Sequence, residues 1–92
     1  MLDFDVYRLN DNPHDSQGVQ YPSLFGFEGD LSIGIHPLPE GSLELRIADS
    51  DGTATESYPG LSAVAYAQAI QRARLIADTY RAEWFPQGEA VA

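Results

Sequence analysis

The chain has 92 residues, 43% of them hydrophobic, and 14 acids against 5 bases give it a formal net charge of −9. That length supports one domain with one modest core, and no run approaches the ~18 apolar residues of a membrane-spanning helix. The absence of cysteine excludes disulfides and thiolate metal sites and agrees with a reducing compartment.

The excess charge is unevenly placed. Residues 1–60 hold eleven acids against Arg8 and Arg46, whereas residues 61–92 hold three acids against Arg72, Arg74 and Arg81. The first two thirds therefore carry the whole negative excess. Such a field repels nucleic acid and attracts basic protein surfaces; it serves solubility equally well. Asp3 and Asp5 stand where a secretory signal would need positive charge, so the expected location is cytoplasmic, with no membrane contact.

In chain order, LDFDVYRL (2–9) alternates Leu2, Phe4 and Val6 with Asp3, Asp5 and Tyr7, the period of a half-buried strand. NDNPHDSQGVQYPS (10–23) is dense in turn formers and reads as a loop. Leu24, Phe25 and Phe27 suggest a short strand that Gly26 and Gly29 weaken. LSIGIHP sets Leu31, Ile33 and Ile35 on one side, and Pro37 and Pro39 end it. SLELRIADS alternates Leu43, Leu45 and Ile47 with Glu44 and Arg46. Asp51-Gly52 is a hairpin signal, because both residues tolerate the positive φ of a tight turn. TATESY returns, and Pro59-Gly60 closes the sheet region at about residue 58.

A long helix is expected over about 62–85, with Ser62 as N-cap and Leu61 and Tyr66 at the spacing of a hydrophobic staple. Pro86 and Gly88 stop it, and 87–92 read as a frayed tail. At 100° per residue, Ala65, Tyr66, Ala69, Ile70, Ala73, Ile76, Ala77, Tyr80 and Trp84 share one stripe. Val64, Gln68, Gln71 and Leu75 form a second ridge on the far side, a possible seam for self-association or the seat of a folded-back N-terminal segment. The fold class is α+β: 1–92 as a single domain, with about four antiparallel strands in a meander and the helix packed on one face.

Candidate chemistry is thin. Asp49, Asp51 and Glu56 suggest part of a calcium loop. Counted from Asp49, however, Gly52 falls at position four and Glu56 at position eight, not the six and twelve an EF-hand needs. His14, beside Asp11 and Asp15, is a weak metal candidate short of a zinc ligand set. There is no G-x-S-x-G elbow, and GFEGDLSIG lacks a P-loop lysine. Glu44 and Asp49 point to opposite faces of one strand. Glu44 and Arg46 fit cross-strand ion pairs, and Arg74 with Asp78 fits an i,i+4 surface pair.

The expectation is therefore a non-enzymatic protein with no metal and no cofactor. It would bind a basic protein or protein complex through Glu28, Asp30, Glu44, Asp49, Asp51 and Glu56, provided these gather on the sheet face away from the helix. Spaced carboxylates there could imitate a nucleic-acid backbone, as small phage-encoded inhibitors of host defence complexes (anti-CRISPR-like proteins) do; the parallel is one of size, charge and compactness, with no shared motif. The alternative is a self-associating accessory module, a homodimer through Val64, Gln68, Gln71 and Leu75. A small metal-dependent enzyme using the His14 loop is a weaker third.

Overall fold

The computed structural model describes residues 2–84 and the side chains of 2–80. The expected 87–92 tail and the Trp84 side chain lie outside them. Five strands form one antiparallel meander in the order β1 (Asp5–Tyr7), β2 (Ser23–Glu28), β3 (Leu31–Pro37), β4 (Ser42–Asp49) and β5 (Gly52–Pro59). Helix α1 (Ala63–Trp84) packs on one face, over β3, β4 and β5. The α+β class is as expected, with five strands rather than about four. No helix among the described residues is long and apolar enough to cross a membrane.

The alternation in the sequence sets the faces. In register across the sheet, Leu24, Ile35 and Leu45 form one row and Gly26, Ile33 and Ile47 the next, all toward the helix. Ile33, Ile35, Leu43 and Leu45 are fully buried, each contributing about 1.5–3 kcal/mol. The rows run out on β5 as Glu56 and Ala54, beyond the main footprint of the helix, which is why that strand reads as polar.

The helix meets this surface with Ala65, Ala69, Ala73 and Ala77, all buried. Four small side chains at i,i+4 spacing let the helix axis approach the leucines and isoleucines closely. Tyr66, Ile70, Ile76 and Tyr80 flank the stripe, half-buried. The Ser62 hydroxyl accepts from Ala65 N–H at 3.2 Å, as an N-cap should. Leu61 and Tyr66 both pack against the core.

The second strand is complete because its glycine is structural. A Cβ on Gly26 would stand 2.7 Å from the Asp3 carbonyl oxygen and 3.0 Å from Leu2. The N-terminal segment crosses the helix-facing side of β2 there, so Gly26 admits a neighbour and does not merely weaken the strand. This also shortens β1 to Asp5–Tyr7 where 2–9 was expected. Leu2 leaves the ladder and is buried, its carbonyl accepting from Arg74 Nε at 3.3 Å. The Arg74 guanidinium stands 6.0 Å from the Phe4 ring centre. The expected Arg74–Asp78 surface pair gives way to this docking, and the segment folds against Arg74 rather than over Val64 and Leu75.

The loop between β1 and β2 is more ordered than its composition suggested. His14 bridges Gln20, and Asp15 Oδ1 accepts from Gln17 N–H at 2.8 Å and Val19 N–H at 3.0 Å. Buried Asn12 donates to the Tyr21 carbonyl at 2.9 Å and to Ser23 Oγ at 3.1 Å. The Tyr66 hydroxyl donates to the Pro22 carbonyl at 2.7 Å, tying the loop to the helix. Burial pushes the Tyr66 hydroxyl up to about 12.

Candidate functional site: the open sheet face and the acidic turns

The strands that bury leucines under the helix present Tyr7, Phe25, Phe27, His36 and Arg46 on the opposite side. Phe27 is 71% exposed and Tyr7 47% exposed. Tyr7 meets Phe25 edge-on, ring centres 5.3 Å apart, and Phe25 meets His36 edge-on at 5.0 Å. The three rings thus run across β1, β2 and β3. Gly34 makes room for this row: a Cβ there would stand 2.5 Å from His36 Nε2, so the imidazole lies over the glycine. Burial, helped by Arg46, lowers the pKa of His36 below its ordinary value. Two shallow depressions flank Phe27, one lined by Asp5, Tyr7, Leu9 and Phe25, the other by Ser32, Gly34, His36 and Arg46.

The acids expected to share this face are divided. Glu44 is on it, but 3.1 Å from Arg46 two residues along the same strand, an ion pair within β4 rather than across strands. Glu56 is on the helix side, where both carboxylate oxygens accept from Arg72 at 3.0–3.2 Å. The Arg72 guanidinium holds the Glu56 carboxyl below its ordinary value. The face away from the helix is therefore aromatic, not a field of spaced carboxylates. The reason is geometric: alternation sends Glu44 and Glu56 to opposite sides, and Asp49 and Asp51 stand at the β4–β5 corner.

The remaining four acids do come together. Glu28 ends β2 and Asp30 lies in the β2–β3 turn, while Asp49 ends β4 and Asp51 lies in the β4–β5 turn, all at the same end of the meander. The Tyr80 hydroxyl, on the C-terminal half of α1, is raised by burial and then by Asp30, Asp49 and Asp51, so all three aspartates act at one place. Phe27 stands at this same end of the sheet on the open face, whereas alternation turns Glu28, paired with buried Leu31, to the helix side. The β4–β5 corner is also shifted by one residue from expectation. Asp49 pairs with Gly52, leaving Ser50 and Asp51 as the corner, and Gly52 lacks a positive φ. Asp49 Oδ1 accepts from Asp51 N–H at 2.8 Å and Gly52 N–H at 3.1 Å, the side chain closing the turn.

The helix ridge is placed as expected. Val64 is 65% and Leu75 56% exposed, with Gln68 and Gln71 exposed between them. The His14 loop is different: the Asp15 carboxylate is engaged by backbone N–H groups that lower its pKa. No cluster of three or more His, Asp or Glu side chains fit for a metal occurs among the described residues.

What the sequence reading missed is the aromatic row. Phe25, Phe27, Tyr7 and His36 are the polar-side positions of otherwise regular strands, and large aromatics at the residues that alternation assigns to solvent were the available signal. No family model matches the chain, and no curated protein or solved structure matches it.

Proposed function

We propose that this is a non-enzymatic interaction protein that binds a basic protein surface through the open sheet face and the adjoining acidic turns. The exposure of Phe27 on the open face, at the end of the sheet that also carries the acidic turns, carries the reading. Large exposed apolar side chains rimmed by charge are the usual anatomy of a recognition surface, with an aromatic anchor supplying most of the binding energy. Asp30, Asp49 and Asp51, with Asp5 on the other flank, supply a field that steers a positively charged partner. A partner with an apolar pocket ringed by arginine and lysine fits this surface. Complexes that handle nucleic acid carry such cations for phosphate, so occupancy by this chain would inhibit them, the role a phage or mobile-element inhibitor would need.

The test is an affinity capture from lysate of the organism of origin at low and moderate salt, with three baits. Wild type is expected to retain a basic nucleic-acid-binding complex and release it with salt. Phe27→Asp and the double variant Asp30→Lys/Asp51→Lys are each expected to retain little. Equal retention by all three baits removes the reading.

A second reading, self-association through Val64, Gln68, Gln71 and Leu75, is favoured by the exposure of that ridge. Leu75→Glu is expected to lower the mass in sedimentation if the ridge is a seam, and to leave it unchanged otherwise.

A further inference from the structure

The two edges of the sheet are unlike. Edge strands expose unpaired backbone groups, and proteins blunt them by shortness, charge, proline or bulges. Strand β1 is three residues long, with Asp5 inside it and Asp3 and Arg8 close by. Strand β5 is eight residues long and pairs with β4 one to one without a bulge. Its only charged residue, Glu56, is turned to the helix side and held by Arg72. Its proline is its last residue.

We propose that β5 is the contact between two copies of this chain, which join antiparallel through this edge into one ten-stranded sheet. The backbone sets the register. The two-residue corner makes Asp49 and Gly52 the closing hydrogen-bonded pair, so Gly52, Ala54, Glu56 and Tyr58 turn their N–H and C=O groups to β4. Thr53, Thr55 and Ser57 therefore turn theirs outward. Pro59, which has no N–H to give, falls in the outward set, as a proline in a ladder must. A two-fold axis at Thr55 then sets Thr55 of one copy opposite Thr55 of the other, and Thr53 of each opposite Ser57 of the other. Two bonds per pair over three pairs make about six new backbone hydrogen bonds.

The charges fit this arrangement. Two bodies of charge −9 associate most easily through a neutral surface, and the Glu56–Arg72 pair makes this edge neutral. In the two-fold register Glu56 of each copy faces Ala54 of the other, so like charges are not opposed. Antiparallel pairing also sends the two acidic 49–51 turns to opposite ends, each beside the Pro59-Gly60 end of the other copy. That end leads into the helix N-terminus, whose first turn contains no acid and whose dipole is positive. Both helices lie on the same side of the joined sheet. Strand spacing places them roughly 20 Å apart, about twice a helix diameter, so Val64 and Leu75 are not required. The contact leaves Phe27 and the open face unused, so it stands or falls separately from partner binding.

Sedimentation velocity on the purified chain from about 1 to 500 µM is the first measurement, with a dimer expected in that range. Thr55→Pro removes an outward N–H, and Thr55→Lys opposes two ammonium groups at the axis; each is expected to weaken the dimer at least tenfold. Unchanged circular dichroism and melting temperature identify these variants as folded. Thr55→Cys introduces a single thiol into a cysteine-free chain, and mild oxidation is expected to give a covalent dimer that a control Leu75→Cys does not give. A monomer at 500 µM overturns the proposal. So does a dimer that survives Thr55→Pro and Thr55→Lys but is lost in Leu75→Glu.

Discussion

The two faces of the sheet are made by the same strands and have opposite economies. Under the helix, Ile33, Ile35, Leu43 and Leu45 are sealed by four buried alanines. On the open side, one residue away in each strand, Phe25, Phe27, Tyr7 and His36 hold rings of comparable or greater size with no second layer over them among the described residues. Burial on the first face is what stabilises the fold. Exposure on the second leaves stability nearly untouched and keeps apolar area available for a partner. A surface that could have been polar at little cost is aromatic, and that is the strongest functional indication in the molecule.

Truncation is the direct way to break this comparison. Leu45→Ala removes a fully buried side chain facing the alanine stripe and is expected to cost about 2–5 kcal/mol in chemical denaturation. Phe27→Ala removes a larger side chain and is expected to stay within about 0.5 kcal/mol of wild type. If the two cost the same, Phe27 is part of the core and the open face is misassigned.

The glycines sharpen the contrast at one remove. Gly26→Ala drives a Cβ against the backbone of Asp3 on the helix side, and about 1–3 kcal/mol of destabilisation is expected, because a carbonyl cannot rotate away as a side chain can. Gly34→Ala on the open face displaces only the free end of the His36 ring. A smaller loss is expected there, together with a shift of the His36 proton resonances and of the Phe25 ring signals beside it.

A weaker effect separates the two ion pairs. Glu56 and Arg72 join β5 to the helix, whereas Glu44 and Arg46 sit on one strand. A double-mutant cycle on the first pair is expected to give about 0.2–1 kcal/mol of coupling, since both partners keep more than a third of their side-chain surface in water. Because the Glu56 carboxyl is lowered in the folded chain, its contribution is complete above the unfolded value of 4.5. It is lost as pH falls through the lower folded value. Glu56→Gln is expected to flatten that acid limb of the stability curve.

The smallest expected effect is at His36. Its folded pKa is lowered from 6.5, so just below 6.5 the unfolded chain binds the proton more readily. Stability contributed by the neutral ring is therefore complete above 6.5 and declines as pH falls toward the folded value. His36→Gln is expected to remove this slope while leaving stability at pH 8 within about 0.5 kcal/mol. A slope that persists in the variant assigns the titration to another group.

Much of this was legible in the residues. Alternation through LSIGIHP and SLELRIADS named the buried side of β3 and β4, Ser62 marked the start of the helix, and the alanine stripe named the face that packs. These are local regularities with fixed periods, so one sequence suffices to read them. The positions of the acids were not legible. Glu44 and Glu56 look like members of one patch in a linear reading, but strand pairing carries them to opposite faces, and only the register decides which of Glu28, Asp30, Asp49 and Asp51 share an end. The same holds for Gly26 and Arg74, whose roles depend on an N-terminal segment that lies far away in the sequence. The order of residues along the chain determined a small α+β fold with a negative excess in its first two thirds. Tertiary structure alone decided that four of the acids gather at one end, that the open face is aromatic, and that among the described residues β5 stands unpaired at one edge of the sheet. The physical reason is that period fixes orientation within an element, whereas contacts between elements depend on pairing and packing that no single segment encodes.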